Sequence, residues 1–137
     1  MTYALDTNIV ILYLRNEPNV NRNFSDAITR GDDLVIPQIV NYEIRRGFRI
    51  VSAPKKEAAY HVLAYGPGFC QIAEMDGYCW VRAEQVYEEM YHKGLTIGEL
   101  DILIAATCLE NGYTLVTNNV KHFEDIAGLR LVNWAEE

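Results

Sequence analysis

Residues 98–119 read GELDILIAATCLENGYTLVTNN. Behind Gly98 stand two acids, Glu99 and Asp101, and then Ile102–Leu109, apolar almost all the way round. A helix that is hydrophobic on every side is a buried helix. Asn111-Gly112 ends it, since a glycine closes a helix C-terminus in the left-handed conformation without steric cost. Tyr113–Val116 then reads as a short buried strand that runs out into Thr117-Asn118-Asn119, small polar residues only. An ionisable acid therefore heads a buried helix, and a polar loop leaves the next strand. Ligands of open α/β sheets bind in the crevice at the carboxyl ends of the strands. An acid facing a dry interior is costly unless a cation or hydrogen-bond donors compensate it, which makes Asp101 the first functional suspect.

Outward from this stretch, short apolar segments alternate with helical patterns. Tyr3–Leu5 is a strand, and Asp6-Thr7-Asn8 caps a helix that opens with Ile9–Leu14. Val20–Arg30 is a more polar helix stopped by Gly31, and Leu34–Ile36 is a strand closed by Pro37. Gln38–Val51 carries Ile39, Val40, Ile44, Phe48 and Val51 at helical spacing. Pro54 starts a helix to Tyr65, Phe69–Ile72 is a strand, and Asp76 begins a long helix to His92 with Trp80, Ala83, Val86, Tyr87 and Met90 inward. Downstream, Val120–Ile126 is a brief helix and Leu129–Val132 a last strand. Strands alternating with helices predict a parallel sheet covered on both faces. With no linker, repeat or low-complexity run, residues 1–137 read as one α/β domain.

Half of the residues are hydrophobic, yet no segment approaches the roughly 20 apolar residues of a membrane span. The start MTYALDTN has no basic residues and no cleavage site behind a long apolar core, so no signal peptide is expected. Three cysteines, Cys70, Cys79 and Cys108, fit no metal spacing and read as reduced core thiols. The expectation is a cytoplasmic protein with no membrane contact. A net charge of −7 argues against broad, salt-driven nucleic-acid binding. It suits carboxylates awaiting a divalent ion, or a basic partner. Five of the twelve Lys and Arg residues (Arg45, Arg46, Arg49, Lys55 and Lys56) fall within positions 45–56. They are either a solvated helix face or a local phosphate-contacting patch on an acidic body.

Each acid has a plain structural role open to it. Asp6 is placed as a helix N-cap, Glu43 as a partner for Arg46 one turn on, and Asp101 as a first-turn acid favoured by the helix dipole. Their joint placement says more. Asp6 and the Thr117–Asn119 loop both follow parallel strands, Asp101 heads the helix between them, and Glu43 shares a helix face with Ile39 and Val40. Gly47, one turn beyond Glu43, leaves room beside it. Three carboxylates with amide and hydroxyl oxygens make a hard-oxygen site suited to Mg²⁺ or Mn²⁺. Such ions support phosphodiester hydrolysis. His61, His92 and His122 are scattered through polar or helix-end contexts and are set aside as ligands. Trp80, Tyr87 and Met90 fit a core better than an RNA-stacking platform. A phosphatase of the haloacid dehalogenase type wants an acid at position 8, where Asn8 stands, and a receiver domain wants a Lys at the end of the later strand, where none stands.

LDTNI at 5–9, NYEIRRG at 41–47, GELDILIAA at 98–106, LVTNN and HF within 115–123, and GLRLVNW at 128–134 resemble the PIN-domain ribonucleases. The resemblance is closest to the VapC-type toxins of bacterial toxin–antitoxin pairs and covers nearly the whole chain. It implies a three-layer α/β/α sandwich around a parallel sheet, Mg²⁺ or Mn²⁺, and endonucleolytic RNA cleavage by a metal-activated water. It also implies a homodimer and an antitoxin that covers the active site, held in part by Val20–Arg30 and Pro54–Tyr65. Carried over by position, the family's acids fall on Asp6, Glu43 and Asp101. Its fourth position, often Asp, falls on Asn119, which adds no charge and should weaken a second ion. Thr117 and Asn8 become hydrogen-bonding support; Arg45, Arg46 and Arg49 are candidate RNA contacts from the basic run itself. Two other readings stay open: a catalytically silent PIN fold serving as an RNA- or protein-binding module, and a PIN nuclease that matures RNA.

Overall fold

A computed structural model describes residues 1–136 of the chain. The order of elements is β1 Thr2–Leu5, α1 Thr7–Leu14, α2 Pro18–Arg30, β2 Asp33–Pro37, α3 Gln38–Ile50 and α4 Pro54–Tyr65. There follow β3 Gln71–Ala73, α5 Gly77–His92, α6 Glu99–Asn111, β4 Thr114–Val116, α7 Val120–Phe123 and β5 Arg130–Val132. The strands form one sheet in the order β3-β2-β1-β4-β5, with every neighbouring pair parallel. Helices flank it in the three-layer α/β/α arrangement that the alternation predicts.

The strand order fixes where a ligand can enter. From β1 the chain builds outward to β2 and β3, then returns to the other side of β1 for β4 and β5. The crevice of such a sheet opens where the order reverses, here between the carboxyl ends of β1 and β4. Leu5 pairs with Val116 at that end, and the Asp6 N–H donates to the Val116 carbonyl at 2.9 Å. The two strands are apolar to their last residues, Ala4, Leu5, Leu115 and Val116 all being fully buried, as expected of a sheet covered on both faces. The first polar side chains beyond them, Asp6 and Thr117, stand at the crevice floor.

Helix α6 is the buried helix expected: Ile102, Ile104, Ala105, Ala106 and Cys108 are all inside, and Gly112 closes it at φ 70°. It packs mainly against α5. Here the structure corrects the sequence reading. The inward face of α5 is Cys79, Ala83, Val86 and Met90, whereas Trp80 and Tyr87 are 52% and 54% exposed. The small Cys79 and Ala83 let two helices approach closely, and the bulky rings one step round the helix are left outside. Val51, placed on the core face of α3, is likewise exposed, because the helix ends at Ile50 and the chain turns extended.

Most strand ends shift by a residue, and three boundaries move further. Strand β3 begins at Gln71 rather than Phe69, since Gly66-Pro67-Gly68 turns through a left-handed Gly68 and Cys70 N–H still donates back to Leu63 of α4. Helix α7 stops at Phe123, and Ile126 is buried from a turn. Helix α2 starts two residues early, with Pro18 in its first turn and the Glu17 carboxylate accepting from the Val20 N–H at 2.8 Å. The cysteines are free and buried, and burial pushes the Cys70 thiol up to about 12, which keeps it protonated and inert. Among the described residues no helix is long and apolar enough to cross a membrane.

Candidate active site

Asp6 is the first residue after β1 and the N-cap of α1. Its Oδ1 accepts from the Thr7 N–H at 2.8 Å, while Oδ2 accepts from the Thr117 hydroxyl at 2.8 Å and the Asn8 amide at 3.0 Å. At 4% exposure the carboxylate is buried and fully provided with donors. The turn that ends β1 needs a cap, and the cap lies at the sheet's switch point.

Thr117 and Asn8 both hydrogen-bond the Asp6 carboxylate. Thr117, fully buried, donates to Asp6 and accepts from the Asn119 backbone N–H at 2.9 Å. Asn8 donates to Asp6 and accepts from the Asn118 N–H at 2.9 Å. The β1 and β4 loops are thus laced across the crevice by side chains from both.

Glu43 reaches the same crevice from α3, where its Oε1 accepts from the Thr7 hydroxyl at 3.0 Å. Partial burial pushes its carboxyl above the ordinary value; Thr7 and Arg46 oppose this, and the charges of Asp6 and Asp101 add to it. Burial also raises Asp101, at the head of α6, and the Asp6 charge raises it further. The three acids are therefore near enough to repel one another. Glu99 sits exposed in the first turn of α6. Arg46 makes no ion pair with Glu43; its guanidinium lies over the Tyr42 ring, 5.0 Å from the centroid.

Two positions read differently in three dimensions. Asn119 is exposed, and its hydrogen bonds, N–H to the Thr117 hydroxyl and carbonyl from the His122 N–H, are through its backbone. The residue beside Asp101 is instead His122 of α7, whose Nδ1 stands 3.3 Å from Asp101 Oδ2 and pulls that carboxyl down. Sequence reasoning set His122 aside because the contact joins helices α6 and α7, which no local spacing reveals. Beyond this pair lies a hollow of about 440 Å³ lined by Gly98, Asp101, Lys121, His122 and Asp125.

Among the described residues no three His, Cys, Asp or Glu side chains converge closely enough to enclose an ion by themselves. The donor set still fits Mg²⁺ or Mn²⁺. Magnesium takes one or two carboxylates and keeps several waters, so a closed protein cage is not required. Mutual repulsion among Asp6, Glu43 and Asp101 is a charge arrangement that a divalent cation relieves. Asp6, Glu43 and Asp101 are the carboxylates that could hold such an ion, and the Thr7 hydroxyl hydrogen-bonds Glu43.

A PIN domain family model matches residues 3–129. The chain belongs to the PIN-domain family. Within it, the sequence is 32% identical to Ribonuclease VapC2 of Rickettsia felis over 134 residues, covering 98% of both proteins. It is 28% identical to the tRNA(fMet)-specific endonuclease VapC of Salmonella typhimurium, again over 98% of each. The crystal structure of VapBC2 from Rickettsia felis, bound to a DNA fragment from its promoter, matches this fold with a TM-score of 0.88 at 28% identity, covering 98% of this chain and 99% of that one.

Proposed function

We propose that the chain is a metal-dependent endoribonuclease acting as the toxin of a toxin–antitoxin pair, and that Asp6, Glu43 and Asp101 form its catalytic centre. The observation that carries this is Asp6 at the β1/β4 switch point, saturated by donors from both loops and close enough for its charge to act on Glu43 and Asp101. The VapC names of the relatives support the substrate class and the toxin role.

Mg²⁺ or Mn²⁺ would be held by Asp6 and Asp101, with Glu43 as the third acid; when bound, the ion supplies an acidified water and positive charge against the scissile phosphate. The chain's own residues prepare the site. Thr117, Asn8 and the Thr7 N–H fix the Asp6 carboxylate, and the Thr7 hydroxyl aims Glu43. Glu43, raised above its ordinary value and half-buried, is the group suited to take a proton from the attacking water. His122 orients Asp101 from the far side. Asn119 borders the site as an uncharged oxygen donor.

The antitoxin is inferred from the VapBC complexes among the structural relatives. An apolar groove of about 430 Å³ runs from Glu43 past Ile11, Leu14 and Phe48 to Lys56, and a partner segment laid there would cover the site. A homodimer is inferred as well; the exposed rings of Trp80, Tyr87 and Tyr91 on α5 offer the apolar surface such a contact needs. Three buried free thiols and an RNA target fit the cytoplasm.

Cleavage of total RNA by wild type and Asp6→Ala, with Mg²⁺, with Mn²⁺ and with EDTA, tests the reading. Discrete cuts that need metal and vanish in the variant are expected. Folded, antitoxin-free protein that cuts nothing under any metal would favour a silent binding module. Cuts confined to precursor RNAs would favour a maturation nuclease.

A further inference from the structure

The basic residues of α3 line a second cleft, one that none of Asp6, Glu43 and Asp101 lines. A cleft of about 420 Å³ between α3 and α4 is lined by Arg45, Phe48, Arg49, Tyr60, His61 and Tyr65, with Glu57 at its edge. Its floor is organised. Asn41, buried beneath it, accepts from the Tyr60 hydroxyl at 2.8 Å and donates to the Tyr65 hydroxyl at 3.1 Å and to Gln38 Oε1 at 2.7 Å. The Tyr65 hydroxyl in turn accepts from Arg45 Nη1 at 3.3 Å. The guanidinium is therefore positioned by neutral hydroxyl and amide groups rather than by a carboxylate. His61 and Tyr65 stand side by side, ring centroids 5.0 Å apart, at the exposed rim.

The charges are free for an outside ligand. Arg30, Arg82 and Lys93 are taken up in ion pairs with Asp32, Glu110 and Glu89. Arg45 and Arg49 make no ion pair among the described residues, Glu57 included. Most basic residues of this chain of net charge −7 are likewise not ion-paired among the described residues; what sets Arg45 and Arg49 apart is that they line one cleft together with Tyr60, His61 and Tyr65. Guanidinium groups suit phosphate and ring faces suit bases, which together describe a single-stranded nucleotide.

Position along α3 links this cleft to the acids. At about 100° per residue, Glu43 and Arg45 project about 160° apart, on opposite edges of the helix's buried face. The outer surface between those edges carries Arg46 stacked over Tyr42. A strand leaving Glu43 meets that cation–aromatic pair and then the cleft.

We propose that the α3–α4 cleft is a nucleotide subsite for single-stranded RNA, taking a phosphate on Arg45 and Arg49 and a base on His61 and Tyr65, reached by the strand across Arg46 and Tyr42. The subsite rests on the nuclease reading for its substrate class. The test uses the full chain and a fluorescent 12-nucleotide single-stranded RNA in EDTA, followed by anisotropy across a salt series, with cleavage kinetics in Mn²⁺ alongside. Arg45→Gln with Arg49→Gln should weaken binding by about tenfold and lower the salt slope by about 0.7 for each phosphate that no longer meets an arginine. KM should rise while kcat and cleavage of a dinucleotide stay near wild type. His61→Ala should cost about tenfold in affinity, and His61→Phe should restore it, since stacking needs a ring and not a proton.

Unchanged affinity and salt slope in the arginine variant would overturn the subsite. So would unchanged RNA binding together with weakened capture of purified antitoxin, which would make the cleft a protein contact. Cleft-dependent RNA binding by a protein that cuts nothing would keep the subsite and overturn the nuclease reading instead.

Discussion

The Thr117 hydroxyl donates a 2.8 Å hydrogen bond to Asp6 Oδ2 across 111 positions of sequence, joining the ends of β4 and β1. Both groups are buried, so the bond is charge-assisted and shielded from water. Thr117→Val removes the donor while keeping the shape, and leaves the Asp6 carboxylate short of one partner. The expected cost is about 1.5–3 kcal/mol, seen as a melting temperature lower by about 5 °C or more. Thr117→Ser keeps the hydroxyl and should recover most of the stability. A melt unmoved by Thr117→Val would mean the two loops hold without this bond.

Asp101 illustrates the opposite sign. Burial and the Asp6 charge both disfavour its ionised form in the fold. Asp101→Asn removes a repelling charge and keeps the size, so without metal it should melt a few degrees above wild type, while RNA cleavage drops to background. Gross unfolding of the variant would assign Asp101 a structural role instead.

The same repulsion sets a pH dependence. Glu43 and Asp101 have folded-state pKa values above their unfolded ones, so the folded chain holds their protons more tightly. In the window from the ordinary carboxylate value up to the raised ones, the folded state binds more protons, and stability falls as pH rises through it. Other acids, such as Asp76 with its lowered pKa, act in the reverse direction. The difference between wild type and Asp101→Asn isolates the effect: in EDTA the gap in melting temperature should widen as pH rises through that window, then level off. With saturating Mn²⁺ the order should reverse at neutral pH, since only wild type has its full set of ligand charges. A gap independent of pH would mean Asp101 is not held against other charges.

How much of this was legible in sequence depended on whether the signal was local. Asp6, Asp101 and the Thr117 loop were readable because each follows a strand or heads a helix, and the parallel alternation brings such ends to one edge. The outward turn of Trp80 and Tyr87 was not, because α5 meets α6 through small residues, Cys79 and Ala83, and a count of apolar side chains misses that. His122 was invisible for a related reason. Its link to Asp101 exists once α7 packs beside α6, and a lone histidine in a short polar helix announces nothing. The Asn41 network was hidden as well, since a buried amide between two tyrosine hydroxyls leaves no periodic trace.

Asn119 is where the family pattern and this chain part, and it makes the sharpest test of charge count at the site. The side chain is exposed on the loop after β4, with its backbone N–H tied to the same Thr117 hydroxyl that holds Asp6. Position 119 is therefore anchored to the acids through one shared atom. Asn119→Asp puts a fourth negative charge beside Asp6, Glu43 and Asp101 at nearly constant size. Two effects of opposite sign follow from the one added charge. Without metal the extra repulsion should lower the melting temperature, and in calorimetric titration Mn²⁺ should bind more tightly or with an added second event. A drop in stability with no gain in Mn²⁺ affinity would place the new charge near the acids but outside reach of the ion. No change in either would mean the loop carries residue 119 away from the crevice altogether, leaving the site to Asp6, Glu43 and Asp101.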